Sequence, residues 1–288
     1  MTKNERFGFL SSVPGLITVI ALMAYPVIYN FYTSFLRYDN VRTVKFIGFN
    51  NYKWFFSNSD SFISLKVSFI YSFGATTLAF LLALILAHSL NKIQKNSGLL
   101  RTLVILPWVA PLVISGLMWR WMLDKDLGII NYFFLTFGII SKNLAFLSST
   151  EYAMLSGIVT TAWCYIPFLM VLVLAGLESI PKELYEASQI DGANRIQNFW
   201  HVSVKLNKSQ MLVSYLIVLM FTFRTPDTFV SLTGGGPAKS TYHVGIYLMD
   251  TIYRYLNFGH AAAISMVMLL ICLGLALPGL YYGIIRRQ

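Results

Sequence analysis

Five stretches of this chain, Phe7 to Leu36, Val67 to Asn91, Thr102 to Trp119, Tyr152 to Leu177 and Tyr255 to Ile285, contain no Asp, Glu, Lys or Arg. An apolar helix of about 20 residues, at about 1.5 Å per residue, is what crosses the hydrocarbon core of a bilayer. A chain of 288 residues that is 56% hydrophobic and 12% charged also has too few polar side chains to cover a water-soluble surface of its size. Both observations read as an integral membrane protein. A sixth apolar stretch, Ser209 to about Leu232, is interrupted by Arg224, Pro226 and Asp227. The expected fold is therefore all-α with six transmembrane helices. The run Leu127 to Ser141 is short and interrupted by Gly128, Asn131 and Gly138, which suits an interfacial or re-entrant segment, with a seventh span as the alternative.

The basic start followed by an apolar run raises the question of a cleavable leader. The run is far longer than a leader's apolar region and lacks a clean A-x-A site, so it reads as a retained first span. With six spans, both termini share a side with the Asn91 to Arg101 and Glu178 to Lys208 connections. The Lys and Arg there equal in number those on the opposite side but lie in shorter loops, which places the termini in the cytoplasm by the positive-inside rule. The organisation expected is a first span and external loop over 1–66, a five-span core over 67–285 with a cytoplasmic loop at 178–208, and a cytoplasmic tail at 286–288.

Catalytic constellations are missing from the sequence. It has no H-E-x-x-H, C-x-x-C or G-x-S-x-G, and His88, His201, His243 and His260 are far apart. Cys164 and Cys272 each sit within an apolar run, which argues against a disulfide or a Cys-rich metal site. The net charge of +10 is scattered singly and forms no stripe for nucleic acid. "TGGGPAKST" (Thr233 to Thr241) superficially resembles a phosphate-binding loop. It fails because Thr233 and Ala238 stand where glycines are needed and Pro237 has no N–H for an anion. No enzyme, metal or cofactor of the chain's own is expected. Proton-coupled transport would favour a carboxylate well inside a span, and Asp227 alone qualifies.

A polar island interrupts this apolar chain: "LYEASQIDGANRIQNF", residues 184 to 199. Ser179, Pro181 and Glu183 make a helix start. Asp191-Gly192 then ends that helix, with Asp191 expected to cap the next. Ile196, Phe199, Trp200 and Ser203 recur at helical spacing, which predicts a second short helix with one largely apolar face. A helix lying on lipid headgroups is the plain reading of such a segment.

"EASQIDGANRIQNFWHV" also closely resembles the EAA loop of binding-protein-dependent ABC importer permeases, with Glu186, Ala187, Ser188 and Gly192 at the motif positions and Ser188 a small-for-small replacement. "FIGFNNY" (Phe46 to Tyr52), "LPWVAPLVISGLMWRWML" (Leu106 to Leu123), "GIIN" (Gly128 to Asn131) and "LTGGGPAKST" (Leu232 to Thr241) look like the carbohydrate-type permeases, and the glycine-rich loop is similar to that of the larger maltose-transporter permease. One departure is plain. Lys205 and Ser209 stand where the family usually has prolines, so the second short helix is expected to run further toward the fifth span.

The resemblance implies a type I ABC importer permease fold, a second homologous permease subunit, two cytoplasmic ATPase subunits that bind ATP and Mg, and an extracytoplasmic solute-binding protein, in a bacterial or archaeal cell membrane. It makes the island the coupling helix, with Glu186, Ala187, Ser188, Asp191, Gly192 and Phe199 facing the ATPase. It places the solute path on the fourth and fifth spans. The candidates there are Thr161, Cys164, Tyr165 and Phe168, then Phe221, Thr222, Arg224, Thr225 and Asp227, because sugars need aromatic faces and hydrogen-bonding groups. Arg224 is the costliest residue at membrane depth, so it is either functional or paired with Asp227. The loop 37–66 and Gly234, Gly235, Gly236 and Pro237 would face the binding protein. The competing readings are an ion-coupled secondary transporter and a structural membrane subunit of another complex.

Overall fold

The computed structural model describes residues 3–91 and 97–284. The elements are α1 (Lys3–Thr33), β1 (Leu36–Arg37), β2 (Lys45–Phe46), α2 (Asn50–Ser57), α3 (Ser59–Asn91), α4 (Ser97–Val109), α5 (Leu112–Met122), α6 (Ile129–Thr136), α7 (Thr150–Glu178), α8 (Lys182–Ile190), α9 (Arg195–Asn198), a π-helical turn (Phe199–Val204), α10 (Lys205–Arg224), α11 (Asp227–Leu232), α12 (Val244–Tyr253) and α13 (Phe258–Ile284). The 286–288 tail lies outside the described residues.

Among the described residues, five helical segments are long and apolar enough to cross a membrane: Ser11–Thr33, Ser59–Asn91, Thr150–Glu178, Arg195–Arg224 and Phe258–Gly279. The run expected as the third span is a pair of helices, Thr102–Val109 and Leu112–Met122, that meet at 97° and bring the candidate spans to six if the pair crosses as one. Pro111 explains the break, since its ring disfavours helical backbone at Ala110 and it has no N–H to donate back. Helix α3 starts at Ser59 rather than at Val67, because charge marks the edge of the lipid and does not end a hydrogen-bonded helix.

The chain divides into two compact units, Met1–Ser61 with Leu248–Leu270, and Phe62–Tyr247 with Ile271–Gln288. In the first, β1 and β2 pair antiparallel, Leu36 opposite Phe46 and Arg37 opposite Lys45. The motif residues Phe46 to Tyr52 now have work to do. Gly48 takes φ +57, buried Asn51 donates to the carbonyls of Ser34 and Leu36 at 2.8 Å each, and Tyr52 hydrogen-bonds Ser34 at 2.7 Å. Gly259 lets the start of α13 approach Leu36 so closely that a Cβ would strike its carbonyl, and Trp54 stacks on His260 with ring centroids 3.6 Å apart.

The second unit is built on α3, α7 and α10. Ala79, Ala83 and Ala87 recur every fourth residue of α3 and are fully buried, so the helix axes approach closely and the larger Leu169, Met170 and Val173 of α7 fill the space beside them. Hydroxyls join the same helices: Tyr71 to Thr161 at 2.7 Å, Thr161 to Thr228 at 3.0 Å, and Thr76 to Thr222 at 3.2 Å, while the buried hydroxyls of Ser72, Ser115 and Thr160 have no partner among the described residues. Gly116 and Gly157 admit α11, whose Ser231 and Phe229 occupy the space a Cβ would take at each.

Candidate functional site

The island follows α7 on one end of the second unit. Helix α7 stops at Glu178, where the Ser179 hydroxyl donates to the Gly176 carbonyl at 2.8 Å. Pro181 precedes α8, which buries none of its residues. Glu186 and Ala187 are exposed and Ser188 is half-buried. The chain then reverses at Gly192, whose φ of +82 is the left-handed conformation that an L side chain adopts only with strain, and open space surrounds it.

The next helix is capped by Asn194, not by Asp191. Asn194 Oδ1 accepts from the N–H groups of Ile196 at 3.0 Å and Gln197 at 2.9 Å, and Gln197 Oε1 accepts from the Asn194 N–H at 2.8 Å. That is a complete capping box. Asp191 instead ends α8, since Gly192 and Ala193 hold the reversal and push the first free N–H groups two residues on.

The expected apolar face is also redistributed. Ile196 and Trp200 are 70% and 57% exposed, while Asn198, Val202 and Ser203 turn inward. The cause is the π-helical turn at Phe199–Val204, whose wider hydrogen-bonding step rotates the following residues out of the i, i+3, i+4, i+7 register. Phe199 packs edge-on against His88 at 4.8 Å, and the Tyr185 hydroxyl meets the Ser203 hydroxyl at 3.1 Å. The helix does run on through Lys205 and Ser209 to Arg224, as the missing prolines led one to expect.

The candidates on α7 and α10 separate into two groups. Thr161 and Thr222 are buried in the hydroxyl layer described above and serve packing. Cys164 and Tyr165 are buried beside them. Phe168 and Phe221 form the open part, with ring centroids 6.4 Å apart, and the Arg224 guanidinium lies 5.9 Å from the centre of the Phe221 ring. Trp108, which the sequence reading passed over, stacks on Phe168 at 5.4 Å and extends this wall from α4. Among the described residues no ion pair joins Arg224 to Asp227. The helix breaks at Thr225 and Pro226, so their spacing of three is not a helical spacing. Arg224 and the half-buried Thr225 and Asp227 all stand at this break.

The glycine-rich loop is ordered rather than a free turn. Gly234 and Gly235 take φ +62 and +91, Gly236-Pro237 is cis, and the Thr241 hydroxyl bonds the Gly236 carbonyl at 2.6 Å and the Thr233 hydroxyl at 2.7 Å. Asn131 of "GIIN", which the sequence shows only as an interruption of the run 127–141, is 2% exposed. Its amide donates to the carbonyls of Asp124, Lys125 and Leu144 at 3.3, 3.0 and 3.0 Å, and its oxygen accepts from the Leu144 N–H at 3.0 Å. Among the described residues no cluster of three or more His, Cys, Asp or Glu could hold a metal ion.

The sequence pattern described as the binding-protein-dependent transport system inner membrane component matches residues 62–288. The chain is 30% identical over 287 residues to the trehalose/maltose transport system permease protein MalF of Thermococcus litoralis, covering 99% of this chain and 96% of that one. It is 28% identical over 287 residues to the sulfoquinovosyl glycerol transport system permease protein SmoG of Agrobacterium fabrum, covering 99% and 92%. Its fold matches a chain of the bacterial alginate ABC transporter solved in complex with an alginate pentasaccharide-bound periplasmic protein, at a TM-score of 0.81 and 19% identity over 96% of this chain and 93% of that one. The architecture is the type I ABC importer permease fold, and the protein is a multi-pass membrane protein. With the pattern and the relative at 30% identity both spanning most of its length, the chain belongs to the family of binding-protein-dependent transport system inner membrane components.

Proposed function

We propose that the chain forms one half of the membrane path of an ABC importer, carrying a sugar or sugar-like solute handed over by an external binding protein. The observation that carries this reading is the surface at 182–192: a helix with no buried residue, closed by a left-handed glycine and followed by a complete capping box. An exposed helix tied to its own chain through Tyr185, with the small Ala187 and Ser188 on its surface, suits a separate subunit. Glu186, Ala187, Ser188, Asp191 and Gly192 are assigned to the ATPase contact, while Phe199, packed on His88, anchors the segment to α3. ATP and Mg²⁺ belong to the two ATPase subunits, and a second homologous permease completes the path.

The solute passes the wall of Trp108, Phe168 and Phe221, with Tyr165 and Cys164 behind it and Arg224, Thr225 and Asp227 at its end. Aromatic faces beside a cation and a carboxylate suit a polyhydroxylated solute. The names of the relatives, which concern trehalose, maltose and a sulfoquinovosyl glycerol, support the same class. The segment Gly234 to Pro237 faces the binding protein. The membrane is a bacterial or archaeal cell membrane, with the termini and the 178–208 loop in the cytoplasm.

Affinity purification of the tagged chain from its own membranes tests this. An ATPase and a second, related permease should copurify, and the complex in nanodiscs should hydrolyse ATP faster when solute-loaded binding protein is added. Solute uptake by the chain alone, driven by an ion gradient, would sink the proposal.

A further inference from the structure

The hairpin between α1 and α2 carries cations and phenyl rings side by side. Its register sets Arg37 of β1 directly opposite Lys45 of β2, and Phe46 follows Lys45. We infer that this hairpin binds the phosphate of an anionic phospholipid in the leaflet where α1 ends, with Phe46 and Phe49 seated in the apolar boundary beside it. The start of the 37–66 loop then belongs to lipid, a reading that needs only α1 to cross the membrane.

Like charges directly opposite on neighbouring strands destabilise their pairing, and an anion held between them reverses the sign. Among the described residues neither Arg37 nor Lys45 has an ion-pair partner. Arg37 Nη2 donates to the Thr43 carbonyl at 3.5 Å, long for such a bond, and its buried Nε has no partner. The acid of the hairpin is committed elsewhere. Asp39 Oδ1 accepts from the N–H groups of Arg42 at 2.8 Å and Val41 at 3.1 Å, which holds its carboxyl below the usual carboxylate range. Arg37, Arg42 and Lys45 outnumber that one acid and leave the hairpin positive. A guanidinium fork with an ammonium beside it matches the oxygens of a phosphate.

The apolar half of the site is equally open. Phe46 and Phe49 are 64% and 66% exposed. Both rings pack on Phe35, with centroids 6.4 and 5.2 Å away, and Phe35 meets Phe31 of α1 at 5.0 Å. Phe31 is itself half exposed, so the phenyl patch runs unbroken from the hairpin onto the end of the span. Exposed rings rimmed by cations make an interfacial anchor.

Position selects the occupant. The 23 residues of Ser11–Thr33 make about 34 Å of helix, enough to bring Thr33 to the edge of an apolar core about 30 Å thick. Leu36 lies three residues further, at most about 11 Å of chain, and the headgroup layer is about 5–7 Å deep. The chain also turns back at once. Phe35 donates its N–H to the Tyr32 carbonyl at 3.1 Å, while Asn51 and Tyr52 tie Ser34 and Leu36 to α2. The hairpin is thus held near the depth of the phosphates before any lipid arrives.

The test uses the chain purified from its own membranes with whatever subunits accompany it, placed in nanodiscs of equimolar phosphatidylcholine and phosphatidylglycerol. Phe46→Trp adds emission over the unmodified complex, and lipids brominated on their acyl chains report which headgroup sits beside it. Brominated phosphatidylglycerol should quench the added emission more than brominated phosphatidylcholine. Lys45→Gln on that background should lower the preference about fivefold, the worth of one cation near an anionic surface. Adding Arg37→Gln should bring the two lipids to parity, whereas Arg37→Lys should keep most of the preference. Where the double variant fails to fold, Lys45→Gln, at an exposed side chain, carries the measurement. Equal quenching by the two lipids, unaltered in the cation variants, would overturn the proposal. Absence of quenching by either would show a protein subunit covering the rings and would overturn it as well. So would an unaltered lipid preference with weakened capture of a solute-binding protein, which would give the cations to that protein.

Discussion

Asn207 of α10 donates its side-chain amide to the main-chain carbonyl of Val173 on α7, 3.1 Å away, in space that Gly176 leaves empty. A Cβ at position 176 would collide with the Asn207 side-chain amide. Gly176→Ala therefore displaces the donor, and Asn207→Leu removes it. Either should lower stability by about 1–2 kcal/mol, the scale of an interhelical polar contact in a membrane. The midpoint of thermal unfolding of the purified complex, compared at one detergent concentration, reads the loss. Unaltered midpoints in both variants would show that the contact contributes nothing.

At Gly192 the backbone demands a conformation that costs an ordinary L residue roughly 1–2 kcal/mol, while no neighbour restricts its side chain. Gly192→Leu should leave the fold intact but change both the turn and the surface offered to the ATPase. Uptake should be abolished while the assembled complex still hydrolyses ATP. Parallel uptake and hydrolysis assays on one preparation check this, and normal uptake would remove 184–192 from the coupling role.

Asn194 holds the next helix by three hydrogen bonds of its capping box. Asn194→Ala should weaken that helix start by about 1 kcal/mol, whereas Asn194→Ser should retain most of it. Hydrogen exchange at the amides of Ile196 and Gln197 is the direct readout, with acceleration of roughly fivefold expected for the alanine variant.

Trp108 and Arg224 flank the same pair of phenylalanines from opposite ends. Trp108→Ala removes an aromatic stack worth about 0.5–1.5 kcal/mol and should raise the KM of uptake several-fold. Arg224→Ala should raise it further than Arg224→Lys. Wild-type kinetics in both alanine variants would move the solute path elsewhere.

How much of this could be read from residues alone differs from element to element, for physical reasons. Uncharged runs located the spans because lipid tolerates little else, but they do not mark where a helix begins: Ser59 to Lys66 are polar enough for water and still helical. The 97° bend was within reach, since Pro111 stands at its vertex. Asn194 and Gln197 carry a capping-box spacing, but Asp191 beside a glycine offered a nearer cap and drew the assignment. The π-helical turn left no mark, because a wider hydrogen-bond step needs no particular residue type. Thr161 and Thr222 share their helical faces with Phe168 and Phe221, and periodicity cannot tell a hydroxyl left open from one bonded to Tyr71 or Thr76.

The segment from Arg195 to Arg224 is helical throughout, because no proline interrupts it at 205 or 209. Thirty residues of helix make a shaft about 45 Å long, stiff against bending, with one end at the capping box and the other at the Thr225-Pro226 joint. The α-helical part beyond the π-helical turn, Lys205 to Arg224, carries Phe221 and Arg224 at its far end, so any displacement at its near end is transmitted to them except for what the π-helical turn at Phe199–Val204 takes up.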